Sequence, residues 1–306
     1  MSPAPAPDAA AALQALRYAA AQLGFSAVGV APADADQGDR LPRWLAEGCH
    51  GDMEWMLRHL PARLNPQLVL PGVQRVVILT YEYARADART ARGGIARYAQ
   101  GEDYHKLLAP KLADLDETLQ WYGGQQRCFA DSGPVSERFF AARAGLGWIG
   151  RNGLLIRPRG GSYCFLACIL TTLPLPVGEP MRPHCGNCRR CEQACPTGAL
   201  REGRCDARRC LAYWTIEAKS PMPPDIAAAL GNNLYGCDAC QAACPWNRPQ
   251  VPAPRIDPHL LMPAPLRTAD LSQPDDAAFS ATFASSPIRR IGPEHLRANA
   301  AALHRE

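Results

Sequence analysis

Hydrophobic residues near the start of the chain recur at helical spacing. They lie three or four positions apart, at Leu13, Leu16, Ala20 and Leu23. This spacing predicts a helix over residues 10–23, with Gly24 as its C-terminal cap. The same kind of pattern predicts further helices over residues 41–60, 104–121 and 135–144. Short apolar runs predict strands over residues 26–31, 76–80, 154–156 and 163–171.

Alternation of helices with short strands indicates an α/β fold class for the first part of the chain. A linker rich in proline follows, with Pro174, Pro176, Pro180 and Pro183. Such a composition is typical of a domain boundary. We therefore expect an α/β domain over residues 1–177, a cysteine-rich domain over residues 178–250, and a short tail over residues 251–306. The tail is proline-rich at first and is predicted to end in a helix over residues 294–304.

Composition limits the possible classes of protein. With 306 residues, 47% hydrophobic and 20% charged, the sequence predicts a folded chain of about two domains. No apolar run reaches the ~18 residues of a membrane-spanning helix, so we expect no membrane association. The Ala/Pro-rich start lacks the cationic opening of an export signal, and Gln14, Arg17 and Gln22 interrupt its apolar positions. We therefore expect a cytoplasmic protein.

The 13 cysteines are too many for an ordinary cytoplasmic enzyme, and without an export signal a disulfide framework is not expected. Metal binding is the alternative, because most of them are closely spaced between positions 185 and 244. Scattered cysteines are interpreted as small buried hydrophobic residues: Cys49, Cys128, Cys164, Cys168 and Cys205.

Two cysteine runs carry the strongest chemical signal. The first has the spacing of bacterial ferredoxins: Cys185, Cys188, Cys191, Cys195 and Pro196. The second repeats the end of the first, with Leu234 at the place of the missing cysteine: Cys237, Cys240, Cys244 and Pro245. The pattern predicts a ferredoxin-like domain with two 4Fe-4S clusters. Two zinc knuckles are the alternative, but zinc ribbons need neither the Cys-Pro endings nor three cysteines in such close succession.

In such proteins the fourth cysteine of each run ligates the other cluster. The first cluster would then take Cys185, Cys188, Cys191 and Cys244. The second would take Cys195, Cys237 and Cys240. One ligand of the second cluster is missing from this count, and Cys205 and Cys210 are the nearest candidates.

Residues 145–150 spell a dinucleotide-binding fingerprint, G-x-G-x-x-G. That fingerprint needs a strand before it, a helix after it and an acidic residue ~20 positions on. Here a predicted helix precedes it, a predicted strand follows, and the next carboxylate in the expected region is Glu179. We therefore reject a nucleotide site and interpret the glycines as a loop that approaches a bulky ligand closely.

Asp131 follows an apolar segment and precedes a predicted helix. Capping of a turn or helix is the common role of aspartate at such a place. A carboxyl with apolar neighbours and a raised pKa would instead suit a general acid. The residues themselves leave both roles open. His105 and His184 each stand alone, and a lone histidine is more often hydrogen-bonded than bound to a metal.

The formal charge of +4 does not indicate a nucleic-acid partner. Four thiolates around an oxidised cluster leave roughly −2 at each site, which cancels the excess. A polyanionic partner would need a local patch, such as Arg201, Arg204, Arg208 and Arg209. A solvated arginine-rich loop is the other explanation for these residues.

Several stretches together resemble the epoxyqueuosine reductase family, cobalamin-dependent iron–sulfur enzymes that complete queuosine in tRNA. These stretches are residues 97–105, 131–135, 145–152, 210–217, 231–240 and 244–247. The run GNNLYGCDAC at residues 231–240 is far more specific than a generic ferredoxin. The resemblance extends roughly from Leu13 to Arg248.

The resemblance implies roles for particular residues. Cys210 becomes the missing ligand of the second cluster, and Cys205 becomes a bystander. Asp131 falls at the position of the family's proton donor. The cobalamin pocket would draw on Asp131 together with Arg63, Ala99, Arg138, Asn152 and Leu155.

The implied reaction is reduction of epoxyqueuosine to queuosine at the anticodon wobble position of tRNA. Two electrons from an external donor, such as a flavodoxin or ferredoxin system, would pass through the clusters to cobalamin. Asp131 would protonate the departing oxygen. The target nucleotide would have to leave the base stack. We expect the protein to act as a monomer.

The sequence departs from the family at three points. Cys168 stands where a carboxylate is expected, and Trp214 replaces an aliphatic residue. The helical repeats of longer relatives are absent or reduced. These departures leave the core chemistry intact and concern contacts with tRNA.

Two other functions remain open. A reductive dehalogenase-like enzyme would use similar cofactors on a small molecule, but such proteins are usually exported and this chain shows no twin-arginine leader. An electron-transfer iron–sulfur protein would need only the cysteine-rich domain, whereas this chain has a large domain before it.

Overall fold

The computed structural model describes residues 8–83, 94–248, 256–260 and 275–303. Its N-terminal part is built on a four-stranded antiparallel sheet with the strand order β1-β2-β6-β3. These strands are β1 (Ala27–Pro32), β2 (Arg75–Glu82), β3 (Gln126–Phe129) and β6 (Cys164–Thr171). Two short hairpins join β4 (Trp148–Ile149) to β5 (Leu155–Ile156), and β7 (Leu200–Arg201) to β8 (Arg204–Cys205).

Helices cover the sheet and connect it to the cysteine-rich segment. In the first part of the chain they are α1 (Ala9–Gln22), α2 (Arg40–Ala46), α3 (Glu54–Arg58), α4 (Leu60–Leu64), α5 (Tyr104–Gln120) and α6 (Glu137–Arg143). The cysteine-rich segment adds α7 (Arg190–Gln193), α8 (Leu211–Ile216), α9 (Pro224–Ala228) and α10 (Ala239–Ala242). Two further helices lie in the tail, at Asp276–Thr282 and Gly292–Leu303.

Both faces of the central strand β2 are buried, which explains its continuous apolar sequence. Val77 and Leu79 point to the face covered by α1 and α5, where Leu16 and Leu115 pack against them in one core cluster. The alternate residues of β2, such as Ile78, pack with α6 on the other face.

Most of the predicted elements are confirmed, and so is the α/β fold. Helix 41–60 was predicted wrongly, because that stretch forms the three short helices α2, α3 and α4. Gly48 and Gly51 interrupt it with φ angles of +67° and +57°, which a continuous helix does not contain. Strand β3 was not among the predicted elements, since its four residues are too few to show a period.

Hydrogen bonds from backbone N–H groups of the N-terminal part hold the cysteine-rich segment against its side. The Ala96 N–H donates to the Tyr235 carbonyl at 2.8 Å, and the Arg97 N–H donates to Asp238 Oδ2 at 2.8 Å. On the other side, the Ser162 N–H donates to Asn247 Oδ1 at 2.7 Å. These bonds hold both ends of the second cysteine run against the sheet domain.

The tail packs on the cysteine-rich segment. Phe279, Phe283 and Leu296 form a buried cluster with Tyr235. Asn299 Nδ2 donates to the carbonyls of Thr215 and Leu234, at 2.9 and 3.1 Å. The helix Gly292–Leu303 matches the helix predicted over residues 294–304, whereas the proline-rich stretches 249–255 and 261–274 lie outside the described residues.

None of the helices in the described ranges combines the length and the apolar character needed to cross a membrane.

Candidate active site and cluster ligands

Asp131 lies in the loop between β3 and α6, and its side chain is 65% exposed. It does not cap α6, because the N-cap residue of that helix is Ser136. Its φ angle is +61°, in the left-handed region that few residues other than glycine occupy. A strained, solvent-accessible carboxylate at a loop is typical of a functional site.

Two neighbouring aromatic side chains hold the Asp131 carboxylate. The Tyr104 hydroxyl donates to Asp131 Oδ2 at 2.8 Å, and His105 Nε2 lies 3.6 Å from the same oxygen. Tyr104 is stacked between His105 and Phe165, with centroid distances of 4.1 Å on both sides. This stack fixes the orientation of both groups that contact Asp131.

Of the two roles that the sequence left open for Asp131, the one with a raised pKa does not match the surroundings of the carboxylate. His105 is the main reason that the pKa of Asp131 is lowered, and the Tyr104 hydroxyl adds to the effect against the opposing influence of burial. In return, Asp131 and Asp103 raise the pKa of His105. In the resting site an ionised Asp131 therefore lies beside His105, whose pKa is higher than that of a free histidine.

His105 is occupied on both ring nitrogens. Its Nδ1 lies 2.7 Å from Asp103 Oδ1, while Nε2 faces Asp131. Metal binding by His105 is therefore not favoured. His184 is exposed, and its ring packs edge-on against Trp148 with a centroid distance of 4.9 Å.

Glu137 is a functional candidate that the sequence did not reveal. Its Oε1 accepts a hydrogen bond from the Asp131 N–H at 3.0 Å. Burial raises the pKa of Glu137 to about 8, and the charge of Asp131 contributes in the same direction. In the sequence Glu137 is an ordinary acidic residue in the first turn of a helix, so no pattern distinguishes it from a surface residue.

Three of the residues that resemblance assigns to a cobalamin pocket gather around Asp131. Arg63 Nη1 donates to the Val135 carbonyl at 2.9 Å, and Arg138 Nη1 donates to the Gly153 carbonyl at 2.7 Å. The charges of Arg63 and Arg138 both act on Glu137. Asn152 is buried in the β4–β5 turn next to the Gly153 carbonyl that Arg138 binds.

Two buried polar atoms in this region lack a hydrogen-bond partner among the described residues: Arg63 Nε and Asn152 Nδ2. Buried donors are nearly always satisfied, by protein, water or ligand. A ligand rich in amide oxygens, as cobalamin is, would provide acceptors for both. Ala99 and Leu155 differ from these residues because both are buried within core clusters, 1% and 3% exposed, which leaves little side-chain surface for a ligand.

The glycine motif at residues 145–150 surrounds β4, with helix α6 before it and β5 after it, so the rejection of a Rossmann site is confirmed. The glycines permit close approach of the protein's own backbone rather than of a ligand. A Cβ at Gly147 would lie 2.1 Å from the Ile156 carbonyl oxygen, and one at Gly145 would lie 2.4 Å from the Glu179 carbonyl oxygen. Packing against the protein's own backbone therefore explains these two glycines, and a bulky ligand near the loop stays a prediction.

The first predicted set of cluster ligands is brought together. Burial raises the pKa of Cys244, and the thiols of Cys185 and Cys188 act on it in the same direction. Cys191 in turn interacts with Cys244. The indole N–H of Trp148 donates to Cys185 Sγ at 3.4 Å, a contact that suits a cluster-bound sulfur.

The second set is brought together as well. Burial raises the pKa of Cys240, and so do the nearby thiols of Cys237, Cys210 and Cys195. The pKa of Cys237 is raised to about 11 by burial, with further contributions from Cys210 and Cys195. Cys240 and Cys237 thus both interact with Cys210 and Cys195, as ligands of one cluster would.

Cys205 and Cys210 differ in the chemistry of their surroundings. The neighbouring Cys205 lowers the pKa of Cys210, and the backbone N–H groups of Tyr213 and Ala212 lower it further. Cys205 itself has a raised pKa because of that pairing and of burial. Ligation requires a thiolate, so the surroundings favour Cys210 as the ligand.

The other cysteines and the arginine-rich loop have structural surroundings. Cys49 and Cys168 are buried, and the remaining scattered cysteines are half-buried. Arg204 is paired with Glu47, and Arg208 with Asp206 at 2.8 Å. Arg209 Nη2 donates to the Thr197 carbonyl at 2.6 Å, whereas Arg201 is exposed. Internal pairing accounts for three of the four arginines, which favours a solvated loop over a binding patch.

Two family models match the chain. The one described as "Epoxyqueuosine reductase QueG, DUF1730" covers residues 63–132, and the one described as "4Fe-4S double cluster binding domain" covers residues 184–247. The second match includes all eight predicted cluster ligands and favours iron–sulfur clusters over zinc. The N-terminal α/β fold is therefore accompanied by an iron–sulfur domain.

The chain is also similar to characterised proteins over most of its length. It is 42% identical to an epoxyqueuosine reductase of Xanthomonas campestris, over 96% of this chain and 87% of that one. It superimposes on an epoxyqueuosine reductase crystallised with an epoxyqueuosine-modified tRNA stem loop, with a TM-score of 0.83 and 28% identity, over 95% of this chain and 80% of that one. A B12-dependent reductive dehalogenase is alike in fold alone, with a TM-score of 0.51 and 15% identity, over 98% of this chain and 37% of that one. The chain belongs to the epoxyqueuosine reductase family.

Proposed function

We propose that this protein reduces epoxyqueuosine to queuosine at the wobble position of tRNA. One observation carries the proposal: an exposed Asp131 carboxylate, held by Tyr104 and flanked by His105, in a member of this family that also has a double-cluster domain. A simple electron carrier would not need such a site, which argues against that alternative function. The dehalogenase alternative is supported by a likeness in fold alone.

Two 4Fe-4S clusters and cobalamin are the proposed cofactors. When bound, the clusters conduct electrons and the corrinoid supplies the reducing chemistry at the epoxide. Cys185, Cys188, Cys191 and Cys244 would hold one cluster. Cys195, Cys210, Cys237 and Cys240 would hold the other. An external electron donor of the flavodoxin or ferredoxin type would charge them.

The cobalamin pocket is proposed to use the unpaired polar atoms near Asp131. Arg63 Nε and Asn152 Nδ2 would donate to amide oxygens of the cofactor. Arg138 keeps the β4–β5 turn in place through its bond to Gly153. Ala99 and Leu155 would contribute through backbone contact, because their side chains are buried. The pocket would lie within residues 1–177, with the clusters in residues 178–250 and the tail in residues 251–306.

Asp131 is the proposed proton donor to the oxygen that leaves the epoxide. Its exposed carboxylate can reach a substrate, and Tyr104 holds one of its oxygens in a defined direction. The flipped-out nucleotide would enter this pocket from the solvent side. Protonation of the departing oxygen lowers the barrier to cleavage of the C–O bond, a contribution that is typically 10²–10⁴-fold.

An anaerobic assay tests this function. The reconstituted protein would be incubated with cobalamin, a chemical reductant and tRNA that carries epoxyqueuosine, and the nucleosides would be analysed by mass spectrometry. We expect loss of one oxygen atom from epoxyqueuosine. No conversion by protein shown to contain both iron and corrinoid would contradict the proposal and would favour reduction of a small molecule instead.

A further inference from the structure

Reduction of an epoxide to an alkene consumes two electrons and two protons, because the oxygen leaves as water. The carboxyl of Asp131 can carry one proton at a time. His105 lowers the pKa of Asp131, so the resting carboxyl is ionised at neutral pH. The proposed reaction therefore requires a second group that supplies protons to Asp131.

His105 has the geometry of such a group. Its Nε2 lies 3.6 Å from Asp131 Oδ2, and its Nδ1 lies 2.7 Å from Asp103 Oδ1. The imidazole thus bridges two carboxylates, one fixed and one exposed to the substrate. Stacking on Tyr104 prevents the ring from turning away. The 3.6 Å separation is longer than a hydrogen bond, but such contacts often tighten when a substrate binds.

Resting on the function proposed above, we propose that His105 is the proton reservoir of the active site and delivers protons to the substrate through Asp131, with Asp103 fixing its charge and orientation. In each delivery the N–H bond at His105 Nε2 breaks and an O–H bond forms at Asp131. Asp131 then passes that proton to the departing oxygen. His105 regains a proton from solvent, to which its side chain is 38% exposed. Two such deliveries, together with the two electrons, release one water molecule.

Glu137 is another nearby acid that is protonated at neutral pH, since burial raises its pKa to about 8, whereas burial raises the pKa of Tyr104 so that its hydroxyl keeps its proton. Oε1 of Glu137 accepts from the backbone N–H of Asp131, at 3.0 Å, and does not contact the Asp131 carboxylate. The positive charges of His105, Arg138 and Arg63 act on Asp131, and the Tyr104 hydroxyl also donates to it. The side chains that act on His105 are Asp131 and Asp103. The direct route to the carboxylate therefore begins at His105.

Two substitutions separate a proton reservoir from a structural role. His105→Gln retains an amide donor near the position of Nε2 but cannot store a proton. Asp103→Asn removes a negative charge while keeping a side-chain oxygen that can cap α5, a role that asparagine fills as well as aspartate. Glu137→Gln is the matched control for the competing reservoir.

The first measurement is the pH profile of turnover in reconstituted enzyme. We expect His105→Gln to lose roughly 10²-fold in rate while keeping its iron and corrinoid content. The alkaline limb of the wild-type profile reports loss of the proton shared by Asp131 and His105. Asp103→Asn should shift this limb to lower pH, because removing the Asp103 charge lowers the pKa of His105.

The second measurement does not depend on activity. Nuclear magnetic resonance titration of the His105 ring, in full-length protein, should give a pKa above that of a free histidine in the wild type and a lower one in Asp103→Asn. Unchanged titration in Asp103→Asn would overturn the coupling. The reservoir role would be overturned if His105→Gln had the turnover rate and the pH profile of the wild type. It would also be overturned if the alkaline limb of the pH profile disappeared only in Glu137→Gln. Absence of turnover in the wild type would count against the proposed function and leave the titration test in force.

Discussion

The backbone N–H of Asp131 donates to Oε1 of Glu137 at 3.0 Å, so a half-buried carboxyl stabilises the backbone of an exposed one. Asp131 adopts a φ angle of +61°, a conformation that costs free energy in a residue other than glycine and persists only when its surroundings enforce it. Glu137 is one of those surroundings. We therefore infer different tasks for the two acids, chemistry for Asp131 and positioning for Glu137.

Stability should depend on pH through Glu137. Its pKa in the folded protein is about 8, far above the ordinary value, so the folded state binds more protons than the unfolded state between these two values. Stability contributed by the neutral form is thus lost as pH rises through that window. Glu137→Gln keeps the oxygen that accepts from Asp131 but cannot ionise. We expect its melting temperature, relative to the wild type, to increase from pH 5 to pH 8.

The comparison between the two proteins isolates Glu137, because His105 titrates in both of them. Thermal unfolding followed by circular dichroism at several pH values gives the required difference. A difference that does not change with pH would mean that Glu137 is already ionised at neutral pH in the folded protein.

Asp131→Asn tests the proton donor itself. Asparagine tolerates the left-handed backbone conformation, so the loop should keep its shape. The amide cannot pass a proton to the leaving oxygen, and turnover should fall by about 10²-fold or more. Iron content and corrinoid binding should stay at the wild-type level, as measured by metal analysis and absorbance. Undiminished turnover would remove Asp131 from the reaction.

The sequence was sufficient to predict the elements whose burial follows a regular period. Helix α5 was predictable because Leu108, Leu112 and Leu115 repeat at helical spacing. Strand β2 was predictable because burial of both its faces gives it a continuous apolar sequence. The prediction of one helix over residues 41–60 failed because the apolar residues there suit a helix, whereas Gly48 and Gly51 adopt positive φ angles. Periodicity does not report where a glycine takes such a conformation.

The candidate site was predictable only in part, for a physical reason. Spacing alone identified the cysteine runs, because their ligands are local in sequence. The groups that control Asp131 come from another segment: Tyr104 and His105 lie 27 and 26 positions earlier in the sequence. The direction of the Asp131 pKa shift depends on that long-range contact, and the sequence therefore could not decide between the two roles of Asp131.

Cys210→Ser and Cys205→Ser distinguish the ligand of the second cluster from its neighbour. Its neighbour Cys205 and the nearby backbone N–H groups lower the pKa of Cys210, which favours its thiolate form. We expect Cys210→Ser to lose iron toward the content of a single cluster. Cys205→Ser replaces a thiol that is not a proposed ligand and should keep its full iron content. The reverse pattern, measured by iron analysis of anaerobically purified protein, would exchange the two assignments.

Phe283→Ala tests whether the tail stabilises the cluster region. Phe283 is 2% exposed and packs in the cluster that contains Tyr235, two positions before the ligand Cys237. Removal of a buried phenylalanine side chain typically costs about 3–5 kcal/mol, which corresponds to a fall in melting temperature of roughly 10 °C in a chain of this size. The visible absorbance of the clusters should disappear at a correspondingly lower temperature.

Tyr18→Ala is the control, because Tyr18 is 71% exposed on α1 and its removal should leave the melting temperature nearly unchanged. Equal melting temperatures for Phe283→Ala and the wild type would mean that the tail contributes nothing to the stability of the cluster region.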